Sequence, residues 1–172
     1  RTPDERLGDL RAQQAANDVG GRAVIEIIQR YSQTGFERMC TAITDYAERL
    51  MRASIESIPD GEYAFEDVMD SDGVGDSIVP IRAQVTIQDG RATVDFSGSS
   101  SQVAGCINCP AAVTRSAVYY VFAALAGDRL PLCAGAYRPI EIVLDEDSVL
   151  NAKFPSAVAA GNVETSQRVV DV

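Results

Sequence analysis

At 172 residues and 46% apolar side chains, the chain has the material for one globular domain or one lobe of a larger one. Its formal charge of −10 argues against a nucleic-acid partner, because phosphate binding needs clustered lysine and arginine. The absence of histidine excludes from this stretch a Ser/His/Asp triad, a Cys/His pair and any imidazole metal ligand.

Thr2-Pro3-Asp4-Glu5 sets an N-cap residue before a proline at the first helical position and acids in the first turn, a helix start. Leu7, Leu10, Ala15 and Val19 give that helix a narrow apolar face, and Gly20-Gly21 is expected to break it. A second helix follows from Arg22 to Tyr31, with Val24, Ile27, Ile28 and Tyr31 at helical spacing and an end near Ser32 to Gly35. Residues 36–58 place Met39, Ile43, Tyr46, Ala47, Leu50, Ile55 and Ile58 on one stripe, and Pro59-Asp60-Gly61 terminates this third helix.

From Glu62 the period changes to two. Tyr63, Phe65 and Val68, then Ile81, Ala83, Val85 and Ile87, then Ala92, Val94 and Phe96 read as half-buried strands. Asp89-Gly90 joins the last two, a hairpin signal because a type I′ turn needs positive φ. The aspartates of 70–76 form a loop that lacks the remaining ligands of a calcium-binding EF-hand, and the serine-rich 97–101 is a polar turn. Ala111 to Ala126 has helical spacing, is apolar on most sides and stops at Gly127, so it reads as a buried helix. It is interrupted by Thr114, Arg115 and Ser116, and no apolar run reaches the ~18 residues of a membrane span. A strand over 139–144, a turn at 145–147, an irregular segment at 151–157 and a small-residue loop entering a helix at 160–168 complete the pass. The fold class is α+β: helical over 1–60, antiparallel strands over 61–100, mixed helix and strand over 101–172.

Cys40, Cys106, Cys109 and Cys133 are expected as reduced thiols, because a core this rich needs no disulfide framework. Cys106 and Cys109 make a C-x-x-C, but no second C-x-x-C accompanies it, so no metal site is assigned.

Several longer motifs carry a resemblance. Arg1-Thr2-Pro3-Asp4-Glu5-Arg6-Leu7-Gly8-Asp9-Leu10-Arg11-Ala12-Gln13, Pro80-Ile81-Arg82 and Val94-Asp95-Phe96-Ser97-Gly98-Ser99-Ser100 are three of them. The 112–120 stretch Ala-Val-Thr-Arg-Ser-Ala-Val-Tyr-Tyr, Arg138-Pro139-Ile140 and the 159–168 stretch Ala-Ala-Gly-Asn-Val-Glu-Thr-Ser-Gln-Arg follow in order. The whole chain thereby resembles the middle region of hydantoinase B/oxoprolinase proteins and is expected to be an internal piece of one, inactive by itself. The resemblance implies a cytoplasmic, multi-subunit, ATP-dependent system that opens a cyclic amide such as N-methylhydantoin or 5-oxoproline. A hydantoinase A-type subunit or fused domain would hold ATP with magnesium, and a divalent metal would sit on upstream sequence. Two alternatives stand beside it: a carboxylating subunit like that of acetone carboxylase, and a scaffold lobe without catalytic residues. The intact protein is expected to be oligomeric, with neither nucleic acid nor membrane as partner.

Within that frame, Glu164 is the candidate general acid/base and Arg168 the clamp on carboxylate or phosphate. Asn162 is expected to cap the last helix, with Thr165 and Ser166 facing an anionic group at its positive end. The alternative is that Glu164 and Arg168 simply pair across one helical turn. Asn108, before Pro110, and Arg115, in an apolar helix, are further candidates for substrate binding, although a cation in such a run can also serve to tie the helix to a loop.

Overall fold

The computed structural model describes residues 2–172; Arg1, which opens the first motif, lies outside the described residues. Contacts divide the chain into two compact units with a boundary between Ile43 and Thr44.

The first unit is helical. Helix α1 (Pro3–Tyr31) runs unbroken through Gly20-Gly21, so the two helices expected here are one. Each glycine costs a helix interior only ~1 kcal/mol relative to alanine, and Ala15, Ala16, Arg22 and Ala23 on either side favour helix enough to carry it across. Thr2 is not the expected cap: it sits at φ 50° and its side chain makes no capping bond. None of α1 is buried, Leu7, Leu10, Val24 and Ile27 included. Ser32, at φ 64°, ends it and opens α2 (Gln33–Ile55), its hydroxyl accepting the Gly35 N–H at 3.2 Å.

In the second unit the later turns of α2 bury Ala47, Met51 and Ile55, spaced four apart. The buried stripe is rotated from the expected one: Met39, Ile43 and Tyr46 are exposed, and Met51 is wholly buried. Burial of Met51 and Ile55 stabilises by ~1.5–3 kcal/mol each. Strands β1 (Gly61–Met69), β2 (Val79–Gln88), β3 (Arg91–Asp95) and β4 (Ile140–Val143) form one sheet in that order. The first three are the expected antiparallel meander, and Asp89 and Gly90, at φ 50° and 69°, make the hairpin turn. β4 lies parallel to β3, because helix α3 (Ala111–Ala126) intervenes and returns the chain to the same end of the sheet.

One face of the sheet carries the core: Val79, Ile81, Ala83 and Ile87 of β2, Ala92 and Val94 of β3 and Ile140 of β4 are all buried. Tyr63 and Phe65 share that face by register with Val85 and Ala83, yet they remain exposed because β1 is the edge strand. Helix α3 buries Thr114, Ala117, Val118 and Phe122 on one side only; Tyr120 and Leu125 face outward, so it is not the fully buried helix its composition suggests. Gly127, at φ 78°, stops it, with its N–H on the Ala123 carbonyl at 3.1 Å. A 3₁₀ turn (Ala134–Tyr137) packs so close to α2 that a Cβ on Gly135 would lie 1.9 Å from the Thr44 carbonyl oxygen. The chain then passes through a π-turn (Gly161–Thr165) into the short α4 (Ser166–Asp171), which packs on α3. Among the described residues no helix is long and apolar enough to cross a membrane.

Candidate functional site

Two backbone segments, 105–109 and 160–165, are pressed together and decide where the candidate residues point. A Cβ at Gly161 would stand 2.1 Å from the Asn108 carbonyl oxygen, and the Ala160 N–H donates to the Cys106 carbonyl at 2.9 Å. The segment 105–109 is itself held by Cys109, whose N–H reaches the Val149 carbonyl at 2.7 Å and whose carbonyl accepts from Ala152 at 3.1 Å. Burial pushes the Cys109 thiol up from its ordinary pKa, and its sulfur lies 3.6 Å from the Gly161 carbonyl.

This contact places two of the candidate residues in the interior. Asn108 is fully buried: Oδ1 accepts the Val103 N–H at 2.8 Å, and the two hydrogens of Nδ2 are shared among the carbonyls of Val103, Gly105 and Ala157 at 2.9–3.0 Å. Its amide is therefore engaged with backbone groups of the core. Thr165 is likewise buried and donates its hydroxyl to the Ile107 carbonyl. Asn162 lies within the π-turn, exposed, and no side-chain bond caps either the turn or α4. Ser166 is half-buried and bonds back to the Asn162 carbonyl at 3.0 Å, as serine commonly does inside helices.

Glu164 and Arg168, by contrast, come to one cleft of about 630 Å³ that they line with Asp67, Asp70, Asp72 and Cys106. They do not pair with each other. Arg168 Nη1 is bound to Asp67, which stands on β1 101 residues away, and approaches Asp171 at 3.6 Å. Its Nε is buried without a partner. Asp67 also accepts the Val68 N–H at 2.7 Å, and this bond together with Arg168 holds its carboxyl below the usual range. Glu164 is exposed and has no ion pair among the described residues.

The far wall of the cleft is the 70–76 loop. Asp72 Oδ1 accepts the N–H groups of Gly75 and Val74 at 2.8 and 2.9 Å, Oδ2 accepts that of Gly105 at 2.9 Å, and these donors lower its pKa in that order. Asp72 thus fastens the loop to the 105–109 segment, where a Cβ on Gly105 would fall 1.8 Å from the Asp72 carbonyl oxygen. Asp67 was not singled out from sequence, and Asp72 and Cys106 were considered there only as metal ligands. Asp72 sits in an Asp-Gly-Val-Gly run suited to a side-chain-stabilised turn, whereas Asp67 carried no local signal.

Four carboxylates against one guanidinium make this cleft repel a triphosphate, and among the described residues no group of three or more His, Cys, Asp or Glu is placed to hold a metal ion. What the cleft offers is an exposed carboxylate able to move a proton and an arginine held in place by an acid. Arg115 lies elsewhere, exposed on α3, and lines a different cleft.

A family model described as hydantoinase B/oxoprolinase matches residues 1–172. The chain is 34% identical over 186 residues to 5-oxoprolinase 1 of Arabidopsis thaliana, covering 100% of this chain and 14% of that protein. Caprolactamase subunit beta of Pseudomonas jessenii is 35% identical over 150 residues, 87% of this chain and 26% of its own length. The crystal structure of the ATP-dependent caprolactamase from that organism superposes with a TM-score of 0.85 at 31% identity, over 96% of this chain and 29% of that one. A nucleotide-free acetone carboxylase structure shares the fold, with a TM-score of 0.68 at 18% identity over 82% of this chain and 20% of that one. The chain spans less than a third of the curated relatives it matches.

Proposed function

The chain belongs to the hydantoinase B/oxoprolinase family, and from that premise we propose that it is part of the B subunit or domain of an ATP-dependent amidohydrolase that opens a small cyclic amide. The observation that carries this reading is the whole-chain match to the family, joined to relatives named for 5-oxoproline and caprolactam hydrolysis. The cleft between β1 and α4 is where this chain meets the chemistry. Nucleotide with magnesium is assigned to a hydantoinase A-type subunit or fused domain, in keeping with the acidity of the cleft and the lack of a P-loop lysine pattern. A partner subunit is in keeping with the subunit naming of the caprolactamase relative.

Opening an amide ring requires a proton to leave the attacking water and another to reach the departing nitrogen. Glu164, exposed in the cleft, can serve as that acid/base. Arg168 presents a planar fork to a carboxylate or phosphate oxygen, and Asp67 fixes its direction through Nη1. The competing reading, a scaffold lobe, draws on the same ion pair, since Asp67–Arg168 also ties α4 to β1.

The test uses the full-length protein with its A-type partner, ATP and a panel of 5-oxoproline, hydantoin and caprolactam, reading ring-opened product and ADP. Glu164→Gln should lower turnover roughly a hundredfold with the melting temperature unchanged. Arg168→Lys should impair turnover out of proportion to any loss of stability, because lysine keeps the charge and loses the fork. If both variants melt earlier and keep wild-type activity per folded molecule, the scaffold reading replaces this one.

A further inference from the structure

A second cleft is lined by basic side chains. Arg91, Arg115 and Arg138 line one polar cleft of about 430 Å³ with Thr93, Tyr119 and Glu141. Three of the chain's 15 cations converge there against one lining carboxylate, in a protein of net charge −10. The three come from distant parts of the sequence: Arg91 opens β3, Arg115 stands on α3, and Arg138 follows the 3₁₀ turn.

Their states differ. Arg138 is anchored, with Nη1 2.9 Å from Asp45 and 3.2 Å from Glu48, and Glu48 is shared with Arg52 at 3.0 Å. Arg91 and Arg115 are exposed, and among the described residues neither has an ion-pair partner. Tyr119 is fixed by stacking on Tyr137, ring centroids 4.1 Å apart at 18°. Thr93 and Glu141 are register partners across β3 and β4, so the floor of the cleft is paired sheet. The arrangement has one immobilised guanidinium, two uncommitted ones and two hydroxyl groups on rigid elements. Arg91 and Arg115 bring two charges without an ion pair to the wall of one cleft, and their planar forks suit the oxygens of phosphate or carboxylate.

We propose that this cleft is an anion site that takes a small phosphate-bearing molecule, with Arg91 and Arg115 as its clamp and Arg138 as its fixed corner. A doubly charged phosphate brings two negative charges to two guanidiniums that have no ion pair among the described residues, where a single carboxylate brings one. The site shares no residue with the Asp67–Arg168 cleft, and it stands or falls apart from the amidohydrolase reading.

Isothermal titration of the full-length protein with inorganic phosphate, against sodium chloride at matched ionic strength, tests it. Wild type should give saturable binding, and Arg91→Ala and Arg115→Ala should each weaken the binding about tenfold or more. Lys153→Ala should leave it unchanged, since Lys153 pairs with Glu146 and Asp147 outside this cleft. Melting temperatures without phosphate should match in all four proteins. The proposal is overturned if no saturable binding appears, or if both arginine variants retain it. A loss of stability in Arg91→Ala and Arg115→Ala without phosphate binding in wild type would also overturn it, and would mean that an acidic side chain from elsewhere in the protein fills the cleft.

Discussion

Gly20 and Gly21 stand in the middle of α1 with nothing within 4 Å of where a Cβ would be, whereas at Gly105 and Gly161 the same atom would land 1.8 and 2.1 Å from a backbone oxygen. The two regions use the residue in opposite senses. In α1, glycine is a local weakness that the helix tolerates, because no packed neighbour depends on it. Where segment 105–109 meets 160–165, glycine is the condition for the contact: two backbones approach to a distance that no other residue allows. The difference teaches that a glycine's meaning is set by what faces it across space. Sequence neighbours alone do not reveal it.

One substitution made at both places should therefore act with opposite sign. Gly161→Ala is the largest effect: the added methyl meets backbone oxygen, which cannot swing aside as a side chain would, and the loss should be about 3 kcal/mol. Urea unfolding measures it, and an unchanged midpoint would remove the close approach from the account. Thr165→Val, in the same contact, keeps the shape and removes the hydroxyl that serves the Ile107 carbonyl; about 1–2 kcal/mol should be lost in the same assay. Gly20→Ala is the smallest and the reverse in sign, a gain of ~0.5–1 kcal/mol. Since α1 buries nothing, the gain should appear as slower amide exchange within α1. A loss of helicity at Gly20→Ala would mean that the glycine pair is needed after all, and the comparison would fail.

The same contrast marks how far the sequence could be read. Local chemistry was legible: the Asp89-Gly90 hairpin, the Gly127 stop of α3 and the switch to period two after Gly61 all depend on residues within a few positions of one another. The family resemblance was legible too, because whole motifs carry it. The Gly20-Gly21 pair was misread because a helix break and a tolerated helix interior look alike without the energies of the flanking turns. The candidate site was half legible. The 161–168 motif drew attention to a stretch that lines a cleft, but periodicity could not tell that Thr165 turns inward while Glu164 turns out, since a π-turn shifts the helical spacing at that point. Nor could spacing within the motif pair Arg168 with Asp67, which only the fold brings from β1. Asn108 was read as a substrate-binding candidate on the loop before Pro110; its burial is matched by three backbone carbonyls that the fold delivers.

The parallel pairing of β4 with β3 has a kinetic consequence. β1, β2 and β3 can zip outward from the Asp89-Gly90 turn through contacts that are close in sequence, an ordering that needs little chain to be closed at each step. β4 can join only after the whole stretch from Phe96 to Pro139, α3 included, has been brought back across the sheet. Arg138, the anchored corner of the arginine cleft, precedes β4 by two residues, so the cleft cannot exist while the meander stands alone. Asp67 is already in the meander, but Arg168 belongs to the last helix, so neither cleft is complete until elements outside the meander have docked.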